Sequence, residues 1–182
     1  LTAVDFRLRY RIVKALSRMR AAAPRLPGQS PLVDVQIMTE LMAYYEGLAM
    51  VSALNPAAGD PGAALVETAL RERMDQQLEM IFRLLGLRYP QRDIYFAYAA
   101  LKGTQPAKRA SAIEFLDNIL RKDVKTVILP LLEEESQERL LGRAVRLFHI
   151  RIPDRAGALG ALVEQPDPWL RACALHAAGA AR

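Results

Sequence analysis

Between Asp93 and Leu132 the chain reads DIYFAYAALKGTQPAKRASAIEFLDNILRKDVKTVILPLL. This stretch holds three apolar stripes at helical spacing, separated by turns of a few residues. None of the three helices can bury its stripe alone, and loops this short force consecutive helices to pack antiparallel. Ile94, Tyr95, Tyr98 and Leu101 mark the first stripe, among alanines that favour helix. Gly103 is expected to end that helix in the left-handed conformation. Thr104 is the expected N-cap of the next, with Pro106 in its first turn. Ala110, Ile113, Leu116 and Leu120 form the second stripe. Asp123 is the expected cap of the third helix, which carries Val124, Val127, Ile128 and Leu131. Pro130 should kink or shorten that helix.

The rest of the chain follows the same grammar. Residues 4–22 read as a helix with Leu8, Ile12, Leu16 and Met19 on one face and Arg7, Arg11, Lys14 and Arg18 on another. The first 27 residues hold seven basic side chains against Asp5 alone, a balance of +6, while the whole chain carries +5. The basic character therefore sits at one end. Pro24–Pro31 reads as a linker. Residues 32–54 form a helix apolar nearly all round, expected to be buried on more than one side. Asn55–Gly62 is a loop in which Asp60 caps the next helix and Pro61 starts it.

Residues 63–87 should bury Leu65, Ala69, Met74, Leu78, Ile81, Phe82 and Leu85. Glu67, Arg71, Glu72, Arg73 and Asp75 should form its solvent face. Residues 137–149, 153–163 and 169–181 complete the pattern. Aromatics are only 7% of residues, Val and Ile are sparse, and no segment shows sustained alternation, so almost no sheet is expected and the fold class is all-α. The expected architecture is a single helical-repeat domain over 1–182: a right-handed α-α superhelix of about nine helices, with a long hairpin at 32–87 and regular repeats at 91–182.

Chemistry is harder to find. Glu133, Glu134 and Glu135 invite a metal, but they suit the end of one helix and the start of the next. His149 and His176 lack partners at ligand spacing. Cys173 is the only cysteine, so no intrachain disulfide forms. With His176 it shares a helix face, yet nothing marks a base-orienting group. There is no P-loop and no GxGxxG, and the serines sit in helices or caps. No catalytic residue, cofactor or metal is expected. Tyr44–Tyr45 and Tyr95/Tyr98 could line a groove, but aromatics at helical spacing read as core; Trp169 reads as filling a seam between repeats, with a binding anchor as the alternative.

GTQPAKRASAIEFL and EQPDPWLRACALHAAG match each other, with Arg109 and Arg171 62 residues apart. Asp167, Pro168, Arg171, Ala174 and Ala177 in D-P-x-x-R-x-x-A-x-x-A resemble the HEAT repeat. The resemblance implies that the turn aspartate and the second-helix arginine hold neighbouring turns together. Arg109, Asp167, Pro168, Trp169 and Arg171 are thus structural residues, and loss of Arg171 should weaken the last repeat.

The run IFRLLGLRYPQRDIYFAYAALKGTQPAKRASAIEFLDNIL also looks like the HEAT-type extension of bacterial membrane proteins similar to the major facilitator or nucleotide-translocase families. That resemblance implies a piece of a longer protein, cytoplasmic and tethered to the inner membrane through a part not in this chain. No apolar run in the chain approaches a membrane span, the basic N-terminal region does not read as a signal peptide, and both ends look cut. The expected function is a non-catalytic scaffold that binds another protein or another domain of the same chain. Arg7, Arg11, Lys14 and Arg18 are the candidate contact for an anionic membrane surface, or for nucleic acid as the less favoured partner.

Overall fold

A computed structural model describes residues 5–23, 31–54 and 60–180. Among these the fold is all-α, with no strand. The helices are α1 (Phe6–Ala22), α2 (Pro31–Leu54), α3 (Pro61–Arg88), α4 (Gln91–Lys102), α5 (Pro106–Ile119), α6 (Lys122–Leu132), α7 (Gln137–Phe148), α8 (Arg155–Val163) and α9 (Pro168–Ala180). The linker expected at 24–31, save Pro31, and the loop residues 55–59 lie outside the described residues, as does Arg25.

Three expected helix signals act differently. Gly103 is extended (φ −78°), not left-handed. The N-caps of α5 and α6 are Gln105 and Arg121, neither with a side-chain cap bond, in place of Thr104 and Asp123. Pro106 at the first position of α5 sets its entry without a cap, because the missing N–H is one the first turn leaves unpaired anyway. Asp123 instead lies in the first turn of α6, 2.9 Å from the Arg121 guanidinium. The left-handed positions fall on Glu134 and His149, both at φ 55°. At Glu134 the Glu135 N–H reaches back to the Pro130 carbonyl at 3.1 Å, which closes the end of α6. Pro130 lies inside α6, which ends two residues later at Leu132.

Two aspartates cap their helices, Asp60 as expected and Asp154 without having been singled out in the sequence. Asp60 accepts from Ala63 N–H at 2.9 Å, with Pro61 first in α3. Asp154 accepts from Gly157 N–H at 2.8 Å at the start of α8.

The chain forms two compact units, and their boundaries fall inside α1, α2 and α3 and between α6 and α7. One unit comprises Leu1–Phe6, Met42–Gln77 and Gln137–Arg182. Its core joins Leu54, Val66 and Leu70 to Leu162, Leu170 and Cys173. Tyr45 is fully buried, its ring 5.6 Å from Phe148. Gly62 allows a close approach: a Cβ there would stand 3.0 Å from the Cα of Ala177, tighter than most side chains tolerate. Asp60 also pairs with Arg155, which ties the start of α3 to the start of α8.

The other unit comprises Arg7–Leu41 and Leu78–Ser136. Ile37, Ile81, Phe82, Ile94, Leu116 and Ile128 are buried there, and Phe82 lies 4.7 Å from the Tyr98 ring.

Candidate interaction surfaces

The burial of α1 reverses the expected arrangement. Leu8 is 48% exposed, Ile12 37%, Leu16 44% and Met19 57%, whereas Phe6, Val13 and Ser17 are buried. The buried row is mixed in polarity because its polar members find partners. Arg9 Nε donates to Glu40 Oε1 at 3.2 Å, and the Glu40 side chain is fully buried. Gln36 Nε2 donates to the same oxygen at 2.7 Å. Tyr10 Oη donates to Glu79 at 2.8 Å, and Arg83 donates to it at 2.6 Å. Ser17 turns its hydroxyl back onto the Val13 carbonyl at 2.8 Å, and Gln91 donates to the Ser17 carbonyl at 2.8 Å. A small residue at Ser17 lets the backbone of α1 be reached this closely.

α1 therefore has three faces. One packs, one presents the aliphatic row, and one presents Arg7, Arg11 and Arg18, all exposed. Lys14 is half-buried and leans 5.9 Å over the Tyr10 ring, so it departs from that basic row. On α3, Arg73 also departs from the expected solvent face: its guanidinium stacks on Phe6, 3.1 Å from the ring centroid. Leu65, expected in the core, is 37% exposed. The Arg71–Glu67 pair does form, at 2.6 Å across one turn.

The Tyr10–Glu79–Arg83 group sets an acid response. Burial pushes the Glu79 carboxyl up, but hydrogen bonds from Arg83 and Tyr10 and the charges of Arg83 and Lys14 outweigh it, leaving it below the ordinary value. Asp60 is also held low, first by the Ala63 N–H and then by Arg155. Lowered carboxyl values mean that the folded chain binds protons more weakly than the unfolded one. Their stabilisation is full above the ordinary carboxyl values of about 3.9 to 4.3 and is lost as pH falls through the folded values. These two groups by themselves leave the thermal midpoint unchanged from neutral down to about pH 5 and lower it below about pH 4, while Glu46, whose carboxyl burial pushes up, acts in the opposite sense. Glu79→Gln should lower the neutral midpoint and flatten part of that acid drop. An unchanged acid slope in the variant would exclude Glu79 as a source.

A second surface lies between α4 and α5 and was not legible as a site in the sequence. It is an open groove of about 610 Å³. Its floor is small, with Ala97, Ala100 and Ala112, and Phe96 and Phe115 stand beside it. Phe96 is 62% exposed, with Arg92 5.4 Å from its ring. Asp93 lies in the first turn of α4 and Lys108 near the start of α5, so the groove carries one charge of each sign. The available signal was Phe96 itself, a large apolar residue off the Ile94–Ala97–Leu101 stripe that α4 buries.

The repeat-motif residues are placed unequally. Arg109 donates from its two terminal nitrogens to the carbonyls of Leu101 (2.8 Å) and Leu132 (2.5 Å), and pairs with Glu134 at 2.8 Å. It thereby joins the first turn of α5 to the last residues of α4 and α6, where helix carbonyls lack partners. Asp167 caps α9, accepting from Trp169 N–H at 2.9 Å and Leu170 N–H at 3.3 Å, with Pro168 first in the helix. Arg171 is exposed, and its side chain forms no hydrogen bond or ion pair with a described residue. Trp169 is 52% exposed and does not fill a seam. Cys173 is buried, and burial, then the charge of Asp167, pushes its thiol up; His176 is exposed one turn on. The two point to different environments. Among the described residues no three His, Cys, Asp or Glu side chains converge to hold a metal ion, and no helix is long and apolar enough to cross a membrane.

No family model matches the chain, and no curated protein or solved structure shows significant similarity to it.

Proposed function

We propose that this chain is a non-catalytic interaction scaffold, a HEAT-like right-handed α-α superhelix that receives an amphipathic helix in the α4–α5 groove. The groove is the observation that carries the reading. Its alanine floor admits close backbone approach, and its two phenylalanines offer aromatic contact area, the side chains that dominate interface energetics. The occupant that fits has an apolar stripe for the groove, a basic residue to meet Asp93 and an acidic one to meet Lys108. Arg109 supports the HEAT-like part of the reading, since it holds successive helix ends as a repeat arginine does. On this reading, which rests on the sequence resemblance to extensions of bacterial membrane proteins, the scaffold works on the cytoplasmic side of the inner membrane, tethered through a part of the protein outside this chain.

The test is site-specific crosslinking in cells. A benzophenone amino acid at Phe96 of the full-length protein should crosslink to one helical segment, of another protein or of its own chain. Ala100→Arg, which fills the groove, should abolish that crosslink while the thermal midpoint holds. Crosslinks that persist in the Ala100→Arg variant, or that match those from an exposed control position, reject the groove as a docking site.

A further inference from the structure

The exposed side of α1 calls for an occupant of its own. Its aliphatic row, Leu8, Ile12, Leu16 and Met19, is 37 to 57% exposed along about three turns. The basic row Arg7, Arg11 and Arg18 is offset from it by one residue, about 100° around the helix. Exposed Ala15 lies between the two rows. α1 contains no acidic residue, and neither Arg11 nor Arg18 forms an ion pair with a described residue. Its packed side is held independently by the bonds of Tyr10 to Glu79 and Arg9 to Glu40. The outward side can therefore be occupied without α1 leaving its neighbours.

We infer that this side of α1 is a membrane-surface helix that lies on an anionic bilayer. The aliphatic row enters the boundary between headgroups and acyl chains, and Arg11 and Arg18 sit at the lipid phosphates. The combination selects this partner. A nucleic acid backbone uses the cations but gains nothing from four aliphatic side chains. A neutral apolar surface uses the aliphatic row and leaves the cations unmatched. This surface is separate from the α4–α5 groove, and its test does not depend on the groove.

The test is co-sedimentation of the 182-residue chain with vesicles of phosphatidylcholine alone and of phosphatidylcholine mixed with phosphatidylglycerol. Binding is expected to the mixed vesicles only, and to weaken with salt. Arg11→Gln with Arg18→Gln should weaken it about 25-fold, about five-fold per charge. Ile12→Ser with Leu16→Ser should weaken it by about tenfold or more at unchanged charge. Since all four side chains are exposed, both variants should keep the parent thermal midpoint.

Absence of binding to the mixed vesicles overturns the inference. So does binding that depends on the arginines but not on Ile12 and Leu16. If a mixed-sequence DNA duplex then binds in their place, the basic row is a nucleic-acid contact. A dimer that Leu16→Ser dissociates, with no vesicle binding, assigns the row to a second copy of the chain.

Discussion

Replacing Arg9 by Met is expected to cost about 3 kcal/mol of stability, the lower end of the range for breaking a buried ion pair. The change takes the guanidinium away from a Glu40 carboxylate that has no contact with water. Gln36 still donates to that carboxylate, which keeps the loss from being larger. Glu40→Gln should cost less, about 1 to 2 kcal/mol, because Arg9 is 18% exposed and can turn to solvent while the amide still accepts a hydrogen bond. The informative variant is the double change Arg9→Met with Glu40→Leu. It removes both charges together and should recover much of what Arg9→Met loses, since apolar replacements of a buried pair are often neutral. Urea unfolding of the parent, Arg9→Met, Glu40→Leu and the double variant gives the coupling directly. Additive losses, or an Arg9→Met cost under about 1 kcal/mol, would show that the pair does not hold α1 on α2.

The same residues explain which parts of the fold were legible. Helix positions were readable because Pro31, Pro61, Pro106 and Pro168 each stand first in a helix, and because apolar residues recur at helical spacing between them. The buried face of α1 was not readable. An aliphatic row at Leu8, Ile12, Leu16 and Met19 is a stronger pattern than a row mixing Phe6, Arg9, Tyr10, Val13 and Ser17. What decides between them is the presence of Glu40 and Glu79, 31 and 69 residues further on. No local pattern contains that information. The basic row was legible as a feature, since Arg7, Arg11 and Arg18 do face solvent. Its aliphatic neighbour changes what such a feature can bind. The floor of the α4–α5 groove was invisible for a related reason: alanines read as helix formers, and only the packing of the two helices turns them into a floor.

Cap chemistry divides in the same way. Asp60 precedes its helix at the spacing a cap needs and accepts the expected N–H, and Asp154, not read as a cap in the sequence, does the same for α8. Thr104 and Asp123 are equally good residues placed one or two positions off the point where the chain enters its helix. The left-handed positions fall on Glu134, which no residue preference marks, and on His149, a residue type only modestly favoured there. At Glu134 the Arg109 guanidinium and the Glu135 N–H both fasten the turn.

That cluster carries the second large effect, and it separates two arginines that the sequence presents as equivalent. Arg109→Ala is expected to cost about 2 to 3 kcal/mol, because two helix-end carbonyls lose charge-assisted donors in a half-buried setting. Arg109→Lys should recover less than half of that, since one ammonium cannot span carbonyls that the two guanidinium nitrogens reach separately. Arg171→Ala should change stability by less than about 0.5 kcal/mol, as an exposed side chain with no bond to a described residue.

Glu134→Gly distinguishes the ion pair from the backbone clip. It removes a surface pair on a side chain that is 76% exposed, worth at most about 1 kcal/mol, and relieves a left-handed residue by a similar amount. The net change should be near zero, with both carbonyl bonds intact. Hydrogen exchange supplies the local readout. In Arg109→Ala the amides of the last turns of α4 and α6 should exchange faster together, whereas in Glu134→Gly they should not. Equal losses from Arg109→Ala and Arg171→Ala would restore the equivalence of the two motifs and refute the distinct role of Arg109 as the link between successive helix ends.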